Sequence, residues 1–520
     1  MKKFISSLFM ASIAVGSSSL YAKTIDVNIV PMPEEEPAVV APEIYGQFAE
    51  HLGRCIYGGI WVGEESEIPN INGYRKDVVD AFKDLQIPVL RWPGGCFADE
   101  YHWRDGIGPR EERPTMVNSN WGGTVEDNSF GTHEFFNFCE LLGIEPYLSV
   151  NVGSGTVEEM AKWIEYVTAV DGPQAKERIK NGRKEPWKLK YVGIGNESWG
   201  CGGNFTPEEY ANMYRRYQTY ARDFDGNKLY KIASGASDYD YNWTDILMKN
   251  VGNRMKGLSL HYYSVWNWDD KGSATDFSPE LYYYTLGKAL EVDSVINRHA
   301  QLMDKYDPNK KIAMILDEWG TWWNVEPGTN PGHLYQQNTM RDAMVAALSL
   351  NVFHKYADRL KMANIAQIAN VLQSMVLTQD DKMVLTPTYH IFKMYVPHQG
   401  GNYIPLEIDS PVMTVDSERK EFQRQVPMIS ATATEKDGIT TISIANTSLE
   451  DKAKINIPLS QLNVNKIDKG IILKSDNIAD YNDFNDPEKV KPQEFKSAII
   501  NKGNLEIEMP KSSIITLTLS

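Results

Sequence analysis

Eight short apolar, β-branched runs alternate with amphipathic stretches between residues 43 and 370, and this rhythm restricts the fold more than any other feature of the chain. The runs fall at 43–48, 89–94, 145–152, 191–197, 231–237, 257–263, 312–319 and 362–370, with helical patterns at 74–85, 133–142, 157–167, 207–224 and 290–306. Strands that each feed a helix build a parallel sheet covered by helices, and eight such units close a (β/α)8 TIM barrel. Periodicity does not encode closure, so an open doubly wound sheet stands as the alternative. Pro207, behind Thr206 and ahead of Glu208 and Glu209, marks one helix start. It offers a hydroxyl cap, a proline in the first turn and acids at the positive end of the dipole.

After about residue 400 the texture changes. Segments 439–445, 454–458, 494–500, 505–509 and 514–519 alternate at period two and are separated by turn residues, as in an antiparallel β-sandwich. Residues 24–30 alternate likewise, so an N-terminal strand is expected to join that sandwich. The expected organisation is a signal peptide at 1–22, the N-terminal strand at 23–40, the catalytic barrel at 41–398 and the sandwich at 399–520. The first stretch has Lys2 and Lys3, an apolar run over 4–15 and small residues to Ala22, which predicts export to the periplasm or beyond. No later run approaches the roughly 18 apolar residues of a membrane span, so no membrane partner is expected.

Lys plus Arg number 53 against 69 Asp plus Glu, a net charge of −16, which disfavours a nucleic-acid partner because phosphate tracking needs a basic face. A neutral substrate fits better. The 13 Trp, 27 Tyr and 17 Phe supply flat surfaces for sugar rings, although most such residues ordinarily belong to a core. Cys55, Cys96, Cys139 and Cys201 are widely spaced in a chain large enough to build its own core, and free thiols are expected. The nine His show no HExxH pattern and the Cys no CxxC, so neither a metal nor another cofactor is expected.

Barrel active sites lie at the C-terminal ends of the strands. Two carboxylates occupy such positions: Glu197 at the end of the fourth run and Glu318 at the end of the seventh, each with a Trp within two residues downstream. A single strand-end Glu is ordinarily a salt-bridged rim residue, but two facing carboxylates can cleave a glycosidic bond, one donating a proton and one attacking. Glu50, His51, Arg91, His261 and Gln367 also sit at strand ends, where donors and acceptors could meet sugar hydroxyls. Gly94 and Gly95 lack the lysine of a phosphate loop. Asn196-Glu197-Ser198 is formally a glycosylation sequon, at a place in the barrel that argues against a surface acceptor.

Together, IYGQFAEHLGRCIYGGI at 44–60, RWPGGC at 91–96, GNE at 195–197 and DEW at 317–319 resemble the α-L-arabinofuranosidases of glycoside hydrolase family 51. The likeness spans about 40–400 and continues more loosely beyond. It implies a retaining, exo-acting hydrolase that removes terminal α-L-arabinofuranosyl groups from arabinan, arabinoxylan or their oligosaccharides. By that resemblance Glu197 is the general acid/base, Glu318 the nucleophile, and Glu50, Asn196, Tyr263 and Gln367 hold the furanose with support from Arg91. Cys96 stands where some members have Asn, and carries over as a weaker substrate contact. Members are often oligomers, so a homo-oligomer is an expectation. The alternatives are a related retaining barrel glycosidase, such as an endo-β-1,4-glucanase or a β-xylosidase, and a non-catalytic carbohydrate-binding protein.

Overall fold

The computed structural model describes residues 23–415 and 424–520; the segment 1–22, expected to be a signal peptide, lies outside them. Eight strands close into a barrel in chain order: Gly46–Phe48, Val89–Trp92, Glu145–Val150, Tyr191–Ile194, Tyr230–Ser237, Gly257–Tyr263, Ala313–Gly320 and Leu360–Ala366. Every neighbouring pair is parallel, including the eighth with the first, and this closure removes the doubly wound alternative. Val89, Tyr147, Tyr191, Ile232, Ile315 and Met362, from six different strands, form one buried cluster that plugs the interior beneath the mouth.

A helix follows each strand. Pro207–Tyr220 starts as its sequence requires, with the Thr206 hydroxyl accepting the Glu209 N–H and the Glu209 carboxylate accepting the Thr206 N–H in return. Pro279–Tyr306 begins eleven residues before the stretch predicted at 290–306, because Tyr282 to Gly287 are all buried and give no amphipathic period. Met340–Lys355 has no counterpart among the predicted helices for the same reason: every residue from Met340 to His354 is buried. That helix is wedged between barrel and sandwich. Asn351 donates to Ser430 Oγ at 3.0 Å, and His354 contacts Thr432 Oγ1 at 2.9 Å on one side and the Tyr45 hydroxyl at 2.7 Å on the other.

Beyond the barrel, a five-stranded sheet (Leu406–Asp409, Thr24–Pro31, Lys452–Pro458, Asn504–Met509, Ala498–Asn501) faces a six-stranded one that includes Ile429–Lys436, Ile439–Asn446 and Ser513–Leu519. Ile25, Val27 and Ile29 share a buried cluster with Ile442, Ile444, Ile515 and Leu517 of the opposite sheet. The N-terminal strand therefore joins the sandwich, but its pairing with Lys452–Pro458 is parallel, a departure from an all-antiparallel arrangement. The single strand expected at 494–500 is split between the two sheets, with the buried Phe495 where the chain crosses over. No helix among the described residues is long and apolar enough to cross a membrane.

Candidate active site

The barrel mouth holds a cavity of about 490 Å3 whose wall includes Glu50, Cys96, Glu197, Tyr263, Glu318 and Gln367. Arg91 and Asn196 lie immediately beneath. Glu50, Arg91, Cys96, Asn196, Glu197, Tyr263, Glu318 and Gln367 thus converge on one place, although they come from six different strand ends.

Arg91 organises the floor. It is buried, and its guanidinium donates to the Glu318 carboxylate at 2.9 Å, the Asp317 carbonyl at 3.0 Å, Asn196 Oδ1 at 2.6 Å and Ser149 Oγ at 3.2 Å. Because Asn196 Oδ1 is occupied by Arg91, the amide nitrogen remains as a donor. Burial would depress the guanidinium, but Asp317 and Glu318 outweigh it and hold Arg91 firmly charged. Glu318 accepts a second hydrogen bond from the Tyr263 hydroxyl at 2.8 Å. Gly94 and Gly95 have no side-chain alternative here: a Cβ on Gly94 would meet Glu50 Cγ at 2.6 Å, and one on Gly95 would meet Glu318 Oε1 at 2.8 Å.

Glu50 lines the cavity and is itself buried. Its Oε1 accepts from the N–H groups of Gly95 and Phe97 and the indole of Trp121, and its Oε2 accepts from Gln367 at 3.1 Å. Burial, reinforced by the charge on Glu318, pushes its carboxyl up to about 7. Trp121 gives no signal in the sequence because it lies in a long loop rather than at a strand end. His51, by contrast, was expected near a sugar and is not there; it is buried among Phe97, Trp92 and Tyr101.

Glu197 sits three residues past its strand with φ of +39°, a left-handed conformation that L-residues adopt at a cost of about 1 kcal/mol. Its Oε1 lies 3.0 Å from His261 Nδ1, and the same nitrogen is 3.6 Å from Glu318 Oε2. One oxygen of Glu197, one nitrogen of His261 and one oxygen of Glu318 all lie within 4.8 Å of one another. His261 Nε2 reaches Asp317 Oδ1 at 3.0 Å, and Asp317 Oδ2 accepts from the Tyr147 hydroxyl at 2.5 Å. Two consecutive carboxylates, Asp317 and Glu318, therefore both point into the barrel. A β-bulge makes this happen: Ser259 to His261 on the sixth strand spans the same length as Ile315 to Glu318 on the seventh, so strict alternation is broken by one residue.

Burial alone would lower the His261 imidazole, but Glu318, Asp317 and Glu197 raise it to about 10. A folded value above the unfolded value of about 6.5 means stabilisation that is complete below about pH 6.5 and drains away as pH rises towards 10. Thermal melts between pH 6 and 10 are expected to fall steeply for the native chain and less steeply for His261→Gln. Parallel curves for the two proteins would show that His261 is not held as a cation.

Two of the four expected free thiols are joined: Cys96 and Cys201 form a disulfide with Cα atoms 5.5 Å apart, while Cys55 and Cys139 are free and buried. The spacing of 105 residues hid the pair, since only the folded barrel brings the second and fourth strand ends together. Cys96 lines the cavity as a disulfide sulfur with no S–H to donate.

Comparison with known proteins follows the same lines. A model of the α-L-arabinofuranosidase 1 domain matches residues 81–275, and one of the α-L-arabinofuranosidase C-terminal domain matches 317–513. A protein of Bacteroides ovatus, named an intracellular exo-α-L-arabinofuranosidase, is 60% identical over 100% of this chain and 99% of its own length. The chain belongs to the α-L-arabinofuranosidases of glycoside hydrolase family 51. It is a glycoside hydrolase with the barrel and sandwich of that family. The crystal structure of a family 51 arabinofuranosidase from Xanthomonas axonopodis pv. citri is 46% identical, with a TM-score of 0.93 over 95% of this chain and 100% of that one. The arabinose complex of the Thermotoga maritima α-L-arabinofuranosidase is 30% identical, with a TM-score of 0.83 over 95% and 99%.

The expectation of an exported, periplasmic or secreted protein does not stand, because the Bacteroides ovatus arabinofuranosidase, aligned over the whole chain, is named intracellular. The stretch behind that expectation is two lysines and an apolar run interrupted by Ser6, Ser7 and Ser12. Composition alone carried that expectation, and two lysines ahead of an interrupted apolar run do not by themselves specify export.

Proposed function

We propose that this family 51 hydrolase is retaining and exo-acting, with Glu318 as nucleophile and Glu197 as general acid/base, and that it releases terminal α-L-arabinofuranosyl groups from arabinan, arabinoxylan or their oligosaccharides. The observation that carries this reading is the approach of the Glu197 and Glu318 oxygens to within 4.8 Å. Double displacement needs carboxyls about 5–5.5 Å apart, whereas direct attack by water needs about 6.5–9.5 Å.

Glu318, held by Arg91 and Tyr263, attacks the anomeric carbon while Glu197 protonates the departing oxygen, and a covalent arabinosyl-enzyme forms. With Glu197 carrying its proton, the charges of Arg91 and His261 balance those of Asp317 and Glu318. An Nδ1–H of His261 directed at Glu197 Oε1 leaves Oε2 as the oxygen that presents the proton. Once Glu318 is esterified its negative charge is gone, and Glu197 acts as base to draw a proton from water. The Asn196 amide nitrogen, 3.9 Å from Cys201 Sγ, donates to the sugar 2-hydroxyl, a bond that strengthens as oxocarbenium character grows. Glu50 and Gln367 bind the furanose hydroxyls and Cys96 packs beside the ring. Exo action is supported by the Bacteroides ovatus relative, 60% identical over the whole chain and named an exo-α-L-arabinofuranosidase. On the same footing we divide the chain into an N-terminal strand at 23–40, a barrel at 41–398 and a sandwich at 399–520.

The test is a proton NMR time course on a nitrophenyl α-L-arabinofuranoside and on linear arabinan. Arabinose should appear first as the α-anomer and be the sole early product from the polymer. An initial β-anomer would refute double displacement, and early oligosaccharides would refute exo action.

A further inference from the structure

We propose that reduction of the Cys96–Cys201 disulfide converts the rim of the active site into a binding site for a thiophilic divalent cation of the zinc type, ligated by Cys96 Sγ, Cys201 Sγ and the Glu197 carboxylate, and that the bound cation shuts off hydrolysis. Cation binding stands on the geometry alone; the loss of activity rests on Glu197 being the acid.

Both sulfurs face the same carboxylate oxygen: Cys96 Sγ lies 3.9 Å and Cys201 Sγ 3.6 Å from Glu197 Oε2. In the disulfide neither sulfur carries a hydrogen or a charge, so these are packing contacts. One donor atom from each of the three residues lies within 4.8 Å of the others. Cys201 is exposed and Cys96 half-buried, so a reductant can reach the bond.

A dithiol supplies the two electrons and two protons: its sulfurs close into a disulfide as the Cys96–Cys201 bond breaks and two S–H groups form. The cation then displaces both thiol protons, and the proton of Glu197 where one is present. Zinc–sulfur bonds of about 2.3 Å at a tetrahedral angle place two sulfurs roughly 3.8 Å apart. Cα atoms at 5.5 Å allow that separation through rotation of the two side chains. Water completes the fourth position.

A second group of donors, Glu197, His261 and Glu318, lies deeper in the same mouth. It is a poor competitor. His261 Nδ1 is already 3.0 Å from Glu197 Oε1 and 3.6 Å from Glu318 Oε2, its Nε2 is 3.0 Å from Asp317 Oδ1, and the set holds no sulfur for a thiophilic cation. The softer, outer donor set is created only by reduction, which makes cation binding conditional on the state of the disulfide.

The experiment titrates Co2+ into the full-length protein before and after anaerobic reduction with a phosphine. About one equivalent should bind the reduced protein and give a thiolate-to-cobalt absorption band, absent from the oxidised protein and from the C96S/C201S double variant. Zn2+ added to the reduced protein should lower hydrolysis of an unactivated arabino-oligosaccharide by about 10²-fold, the scale of a lost general acid, and a chelator should restore it. Equal binding before and after reduction would assign the cation to the His261 group and overturn the site. No binding by reduced protein that retains its far-UV circular dichroism would overturn it while leaving Glu197's catalytic role untouched. Activity that stays low after chelation would trace the loss to the missing disulfide and overturn the metal block. Binding without inhibition would overturn the block and count against Glu197 as the acid.

Discussion

Glu318→Ala is expected to lower turnover by about 10⁴-fold or more on every arabinofuranoside, whatever its leaving group, because no other group can form the covalent intermediate. The Arg91 guanidinium and the Tyr263 hydroxyl, which both donate to Glu318, would be left facing a void. Azide small enough to enter that void should restore part of the activity and yield the β-arabinofuranosyl azide, with configuration inverted by a single attack. Rescue that yields the α-azide would mean that some other residue is the nucleophile.

Glu197→Ala should separate substrates by their leaving groups. Oligosaccharides, whose departing alkoxide needs a proton, are expected to lose about 10²–10⁴-fold in kcat/KM, whereas nitrophenyl arabinofuranoside should change little in kcat/KM. Its kcat and KM should fall together, since the first step survives while the esterified Glu318 waits for a base that is missing. A burst of nitrophenolate should therefore precede slow turnover. Azide should accelerate that turnover and give the α-arabinofuranosyl azide, with configuration kept. Equal losses on both substrate types would remove Glu197 from the role of acid.

The two positions tested by these variants are legible in the amino-acid sequence. Each is a carboxylate that interrupts an apolar run at the end where a barrel presents its chemistry. Glu50, Arg91 and Gln367 stand at strand ends as well, but so does His51, which packs away from the cavity. His261 is visible as a strand-end residue but not as the link between Glu197 and Asp317, because a strand-end position gives no direction in which an imidazole will be shared. Strict alternation would put Asp317 on the face opposite Glu318, and the bulge in the seventh strand turns it inward. The helix Met340–Lys355 leaves no amphipathic trace because it is covered on both sides, and periodicity reports only helices with one wet face. The expectation of export came from the composition of the first 22 residues alone, and the whole-chain relative named intracellular overturns it.

By itself the sequence determined the eightfold strand–helix order, the switch to two-sided strands near residue 400 and the carboxylates that end the fourth and seventh strands. These follow from local periodicity and from where polar residues break it. Only the tertiary structure decided that Asp317 and Glu318 share one interior, that His261 bridges three acids and that Cys96 meets Cys201. Each of those outcomes depends on closure of the barrel, which joins strand ends far apart in the chain, and on a one-residue slip in register that no pattern of apolar spacing records.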